Sequence, residues 1–390
     1  MIGPAMKLMP PLGWVVLIAA LVLTTFGLLG VYAGEANTGV RPVNTIRQLT
    51  YLGIGLGGFL LVQIVGYREI GRWAYPLFLL MLVLLTLLVL ARVVHMAPII
   101  PERRGTYRWI VLGPINFQVS EFTKIVYILA LACYLRFRTN YRTLSGLLMP
   151  FLLTLIPMAL ILKEPDLGTS ILLLPTLFVM LFAAGARIRH LVLIILLGAI
   201  AVPVFYYSPL MNPYQRERIQ ALFHQDETNR TWRLNAGYQL TQSKIALGSG
   251  RSFGQGFTEG AFFRHDLLPE EHNDFIFAVI GHQWGFVGCT AVLFCYLLIC
   301  GSGLTIASIT TDPLGRLLAV GISALIGVQA MINTGMTIGV MVITGMSLPF
   351  VSVGGSGLIA SYLAIGLLVS VARRRPMDMA PKPFEYGNHP

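Results

Sequence analysis

Apolar residues in this chain come in runs of about twenty, long enough for a helix to cross the hydrocarbon core of a bilayer. A transmembrane barrel would instead show strands of about ten residues with alternating polarity. The runs predict ten spans, at about 14–33, 48–67, 74–93, 119–137, 144–163, 168–185, 190–208, 274–301, 315–340 and 349–372. The fourth is the least apolar, because it carries Glu121 and Lys124. The first run, Trp14 to Gly30, exceeds a signal-peptide core and has no clear cleavage site, so it reads as a retained helix. Ten crossings put both termini on one side.

Composition closes off the other classes. Of 390 residues, 55% are hydrophobic and 12% charged, with a mean hydropathy of +0.73. A soluble domain carries about 25% charged residues, so a soluble enzyme, a disordered chain and a fibrous repeat are excluded. The expectation is an all-α polytopic membrane protein. The net charge of +11 would suggest nucleic acid in a soluble protein; here its ordinary source is basic cytoplasmic loops, and no nucleic-acid partner is expected. The termini and alternate loops hold Lys7, Arg68, Arg72, Arg136, Arg138, Arg142, Arg187, Arg189, Arg316, Arg373, Arg374, Arg375 and Lys382. The opposite short loops hold Arg41, Arg47, Arg103, Arg104 and Arg108. Both termini are therefore assigned to the cytoplasm. A long loop of about 209–273, between the seventh and eighth spans, then lies outside, with a shorter outer segment at about 94–118. Residues 1–375 read as a single membrane domain without internal repeats, and 376–390 as a disordered, Pro-rich cytoplasmic tail. Cys133, Cys289, Cys295 and Cys300 sit in apolar runs and read as small buried hydrophobes. Glycines 53, 55, 57 and 58 make a small-residue face on the second helix, suited to close packing.

Ionisable groups inside a bilayer cost about 2.5–3.5 kcal/mol or more at its centre, so each needs a reason. Three segments stand out. In Gln118-Val-Ser-Glu121-Phe-Thr-Lys124, Ser120 or Gln118 suits a helix start, and Glu121 and Lys124 share a face and can pair. That is either mutual neutralisation or a polar patch facing a cavity. Lys163-Glu-Pro-Asp-Leu-Gly-Thr-Ser170 breaks about 40 apolar residues; Pro165 ends a helix and Asp166 suits the cap of the next. Capping alone accounts for Asp166, yet a plain turn does not require Lys, Glu and Asp together. In Leu268-Pro-Glu-Glu-His-Asn-Asp274, Asp274 sits where the long loop meets the eighth span. It is either another N-cap or a general base for a lipid-linked substrate. His265 and His272 lack HExxH spacing, so zinc is discounted. In Tyr214-Gln-Arg-Glu-Arg-Ile219, Arg216 and Arg218 could hold phosphate, solvate the loop or meet headgroups. The glycine-rich stretch 247–256 reads as a flexible turn region, and Asn229-Arg-Thr231 is a weak match to a glycosylation site.

Several motifs in order resemble the SEDS family, the RodA/FtsW/SpoVE proteins of shape, elongation, division and sporulation. They are Arg108-Trp-Ile, Leu112-Gly-Pro, the 118–124 segment, Glu164-Pro-Asp-Leu-Gly-Thr-Ser170, Tyr214-Gln-Arg, Gly237-Tyr-Gln-Leu-Thr-Gln-Ser-Lys244, Leu268-Pro-Glu-Glu-His-Asn-Asp-Phe-Ile-Phe-Ala278 and Leu348-Pro-Phe-Val-Ser-Val-Gly-Gly-Ser356. Gln242-Ser-Lys-Ile-Ala-Leu-Gly-Ser-Gly250 and Asp166-Leu-Gly-Thr-Ser170 look closer to RodA than to FtsW.

The resemblance implies a peptidoglycan glycosyltransferase that polymerises lipid II on the outer face of the bacterial cytoplasmic membrane, for cell-wall elongation and shape. It also implies a class B penicillin-binding protein as transpeptidase partner, and a divalent cation, Mg2+ or Mn2+. The family's catalytic aspartate falls on Asp274, and other functional positions fall on Arg47, Gln118, Glu121, Lys124, Asp166 and Gln215. On chemical grounds Arg47, Lys124 or Arg216 would lie near the substrate diphosphate, with Glu121 orienting Lys124. The chain departs from the family pattern at Asn116, Val119, Asn273, His282, Gln283, Val342 and Val353. A flippase for the lipid-linked precursor and a non-catalytic scaffold for a penicillin-binding protein are the alternatives.

Overall fold

The computed structural model describes residues 9–37, 42–94, 100–102, 106–112, 115–138, 140–208, 213–223, 237–257 and 274–374. Among them are thirteen α-helices: α1 Pro11–Asn37, α2 Val43–Val65, α3 Tyr67–Arg72, α4 Ala74–Val94, α5 Val119–Arg136, α6 Leu148–Lys163, α7 Leu167–Ala184, α8 Ile188–Tyr207, α9 Pro213–Phe223, α10 Tyr238–Ser249, α11 Ile276–Ser308, α12 Pro313–Ile338 and α13 Gly355–Arg373. Eight helices are long and apolar enough, by length and composition, to cross a membrane. They correspond to all the expected spans but the fourth and seventh. The fourth falls on α5, which carries Glu121, Lys124 and Arg136. The seventh falls on α8, whose apolar stretch by the same measure is Ile188–Ala201. His265, His272, Asn273, Asn229-Arg-Thr231 and the 376–390 tail lie outside the described residues.

Among the described residues, one element departs from an all-α chain. Strand β1, Trp109–Leu112, pairs antiparallel with β2, Ile115–Gln118, placing Trp109 opposite Gln118. The aromatic and β-branched residues of the two strands suit a pleated ribbon, and β2 runs straight into α5. The hairpin therefore sets where Gln118 and Glu121 stand.

The helices are apolar on their outer sides as well. Leu60, Leu61 and Ile64 of α2, and Ile195, Leu196, Ile200 and Val204 of α8, are exposed. Lipid, not water, is the solvent that suits such surfaces, and helices satisfy their own backbone polar groups within it. At the centre lies α12, packed against α5, α7, α11 and α13. Small residues permit this closeness: a methyl group at Gly321 would stand 2.6 Å from Ile128 Cγ2 and 2.8 Å from Met180 Sδ. The glycine face of α2 is used by half. Gly55 meets Tyr362 and Gly58 meets Leu363 of α13, whereas Gly53 and Gly57 face open space.

The glycine-rich stretch after α10 is close-packed rather than loose. Helix α11 breaks at Gly285 (φ 63°, ψ −156°), which frees two amide groups. Phe286 N donates to Arg251 O at 2.8 Å and Val287 N to Ser252 O at 3.1 Å. Gly254 (φ +87°) sits so tightly there that a Cβ would come 2.0 Å from Gln283 O. Backbone-to-backbone approach, not flexibility, calls for glycine at these places. The departures His282 and Gln283 are buried beside this break.

Candidate active site

Gln329 of α12 and five further segments converge on a cavity of about 420 Å³. The five are the start of α2, the hairpin with the start of α5, the α6–α7 turn, the residue two before α11, and the non-helical chain joining α12 to α13. Five of the residues singled out from sequence line it: Arg47, Gln118, Glu121, Asp166 and Asp274.

Each is positioned by local chemistry. Asp166 caps α7, its Oδ1 accepting from Thr169 N at 3.2 Å, and Oδ2 accepts from Ser120 Oγ at 3.1 Å. It is therefore both a cap and a cavity wall. The turn before it is strained, with Pro165 at φ +30°. Arg108 secures that turn by donating from Nε to Glu164 O at 2.7 Å and from Nη2 to Pro165 O at 2.6 Å. Glu164 is buried, and neither carboxyl oxygen has a hydrogen-bond partner. Burial first, and the nearby Asp166 second, push its pKa from 4.5 up to about 9, with Arg108 pulling the other way.

Gln118 takes the cap position of α5 without a side-chain cap bond. Its backbone N–H instead donates to Ser356 Oγ at 2.9 Å, and that hydroxyl donates to Asn116 O at 2.6 Å. One turn on, Lys124 Nζ lies 2.9 Å from Glu121 Oε2 and 3.2 Å from Gln329 Oε1. Gln329 donates in turn to Ser347 O at 2.8 Å. Lys124 thus stands behind the cavity wall with its charge already matched.

Asp274 is not a cap. The cap position of α11 is Phe275, with no side-chain cap bond. The Asp274 carbonyl accepts from Asn333 Nδ2 at 2.9 Å, and the same nitrogen donates to Met346 O at 2.6 Å. Fully buried Asn333 of α12 thereby ties the residue before α11 to the 345–347 wall. It was not singled out from sequence, although an amide inside the apolar run of the ninth span was a readable signal.

Arg216 is displaced from its expected place. It donates to Tyr206 O at 3.1 Å and Ser208 O at 3.4 Å, and stacks 5.6 Å from the Tyr206 ring. It fastens α9 to the end of α8 and does not line the cavity. Arg218, on the same helix, comes close instead: its terminal nitrogens and Asp274 Oδ2 both surround Gly345. The Gln215 side chain lies outside the described residues. Two departures from the family pattern, Asn116 and Val353, also line the cavity.

Among the described residues no three His, Cys, Asp or Glu side chains come together as metal ligands. Glu121 is engaged by Lys124, and Asp166 by Ser120 and Thr169.

The cavity joins distant parts of the chain, and comparison with known proteins covers the same length. The model of the FtsW/RodA/SpoVE family of cell cycle proteins matches residues 13–376. The chain belongs to this family. A protein named probable peptidoglycan glycosyltransferase FtsW, from Trichlorobacter lovleyi, is 34% identical, covering 92% of each chain. Among solved structures, a chain of a peptidoglycan synthase complex, described as coordinating polymerization and crosslinking, superposes with a TM-score of 0.76 at 30% identity. It covers 94% of this chain and 98% of that one. The rod shape determining protein RodA of Thermus thermophilus superposes with a TM-score of 0.67 at 28% identity, with the same coverage. These identities do not set this FtsW/RodA/SpoVE protein nearer to RodA than to FtsW.

Proposed function

We propose that this chain is a peptidoglycan glycosyltransferase of the cytoplasmic membrane, polymerising lipid II into glycan strands at the cavity described above. The observation that carries the reading is the meeting of Arg47, Gln118, Glu121, Asp166 and Asp274, from four parts of the chain, around one space. A lipid-linked sugar diphosphate needs a site with both an apolar flank and a polar interior, and a polar cavity among lipid-facing helices supplies that.

In this proposal Asp274 is the general base. The acceptor sugar hydroxyl is a poor nucleophile; the carboxylate takes its proton as the oxygen attacks the anomeric carbon of the donor. The bond from that carbon to the diphosphate breaks, and its electron pair leaves on the diphosphate oxygen. A single displacement turns an α-linked donor into a β-linked product. Such proton removal contributes about 10²–10⁴-fold to a rate. Arg47, exposed on the wall, is the cation proposed to meet the diphosphate. The Glu121–Lys124 pair gives that wall a fixed polar structure without adding net charge. The Mg2+ or Mn2+ implied by the resemblance enters as a counter-ion of the substrate diphosphate rather than a resident of the protein.

The partner in this proposal is a class B penicillin-binding protein that crosslinks the new strand, and both termini face the cytoplasm. The test uses purified protein and lipid II in liposomes. Glycan strands from the wild-type chain support the reading. Lipid II movement across the bilayer without polymer favours a flippase, and neither activity with intact partner binding favours a scaffold.

A further inference from the structure

We infer that Arg218 is the positioning residue for the Asp274 carboxylate, holding one oxygen so that the other faces the acceptor hydroxyl. The inference rests on the glycosyltransferase reading for its consequence in catalysis, and on the approach of both groups to Gly345 for the pairing.

The cations around the cavity can be taken in turn. Lys124 is matched by Glu121 and Gln329. Arg108 is committed to the carbonyls of Glu164 and Pro165. Arg216 is committed to the carbonyls of Tyr206 and Ser208. Arg47 stands at the start of α2. Arg218 follows Arg216 by two residues on α9, about 200° further round the helix. Anchoring Arg216 on the end of α8 therefore turns Arg218 to the other side.

Gly345 marks where it arrives. A methyl group at Gly345 would stand 3.2 Å from Asp274 Oδ2, 3.4 Å from Arg218 Nη1 and 3.4 Å from Arg218 Nη2. Gly345 also has φ +70°, a conformation that favours glycine. A side chain there would crowd both groups. The Asp274 carbonyl is held by Asn333 of α12, and its carboxylate shares the space at Gly345 with the Arg218 guanidinium. A guanidinium on a carboxylate oxygen forms a directed, charge-assisted contact that fixes the side-chain rotamer. A base must present an oxygen to the hydroxyl at hydrogen-bond range, and misplacement by about 1 Å costs about 10²-fold. Because the proposed pairing precedes substrate binding, its loss affects kcat and leaves KM nearly unchanged.

Two readouts test this. The first is a double-mutant cycle in thermal unfolding with Arg218→Ala, Asp274→Asn and both together, which needs no enzymatic activity. The inference expects Arg218→Ala to lower the midpoint in the wild-type background and to change little once Asp274 is Asn; additive shifts overturn it. The second is initial polymerisation rate against lipid II concentration. Arg218→Ala should lower kcat by about 10- to 100-fold with KM unchanged, and Arg218→Lys should recover part of it. A raised KM with unchanged kcat would make Arg218 a substrate contact and overturn the inference. If the wild-type chain makes no glycan, the glycosyltransferase reading fails, and the unfolding cycle still decides whether Arg218 holds Asp274.

Discussion

Breaking the Glu121–Lys124 pair should have unequal consequences depending on which partner is lost. The pair is separated by 2.9 Å, and both side chains are almost fully buried. Removing one partner of such a pair costs about 3–5 kcal/mol, because the other charge is left without compensation. In Glu121→Leu the stranded group is Lys124, at 4% exposure and away from the cavity wall. Its remaining acceptor is Gln329 Oε1 at 3.2 Å, which offsets about 1 kcal/mol. The net cost is about 2–4 kcal/mol. In Lys124→Met the stranded group is Glu121, which lines the cavity and can be hydrated there; the cost falls to about 1–2 kcal/mol. With both replaced, no charge remains to strand, and such double replacement is neutral or stabilising by about 1–4 kcal/mol. Unfolding midpoints of purified protein in one detergent, followed by tryptophan fluorescence, should rank wild type and the double variant highest, then Lys124→Met, then Glu121→Leu. A Lys124→Met variant less stable than Glu121→Leu, or a double variant showing the sum of both losses, would refute the reasoning.

Other expected outcomes follow from the same geometry. Asn333→Leu keeps the volume but removes the bonds to Asp274 O and Met346 O; a loss of about 2 kcal/mol in stability and a fall in kcat are expected from unfolding and polymerisation assays. Glu164 carries a proton in the folded state up to about pH 9 that the unfolded chain releases near pH 4.5. Its contribution to stability is therefore full below pH 4.5 and is lost as pH rises toward 9, by about 1.4 kcal/mol per unit. Midpoints measured from pH 5 to 8 should fall with pH in the wild type and much less in Glu164→Gln. Gly254→Ala meets Gln283 O at 2.0 Å with φ +87°; neither backbone can yield, so destabilisation of about 2 kcal/mol or more is expected in the same unfolding assay.

Much of the architecture was readable because hydrophobic run length alone determines where a chain can cross a bilayer, and the expected spans fall on helices. The β1–β2 hairpin was not, since its strands of four residues are too short to show a periodicity. Charged residues at membrane depth pointed to Glu121, Asp166 and Asp274 because each is costly there without a partner or a water-filled space. Choosing between cap and cavity required the helix register: Asp166 does both, while Asp274 falls one residue short of the cap. The same limit explains Arg216. Two arginines two apart on a short helix point in opposite directions, and only the packing of α9 against α8 tells which one approaches Gly345. Asn333 carries no charge and so gives a weaker signal than an ionisable group, although an amide buried among apolar residues is also costly without partners.

The central claim is that Asp274 removes the acceptor's proton. Purified wild-type and Asp274→Asn proteins, matched for unfolding midpoint, should be given labelled lipid II in the same liposomes and the glycan product measured over time. The account predicts long strands from the wild type and a rate about 10²–10⁴-fold lower from Asp274→Asn. Equal polymerisation by the two proteins would contradict it.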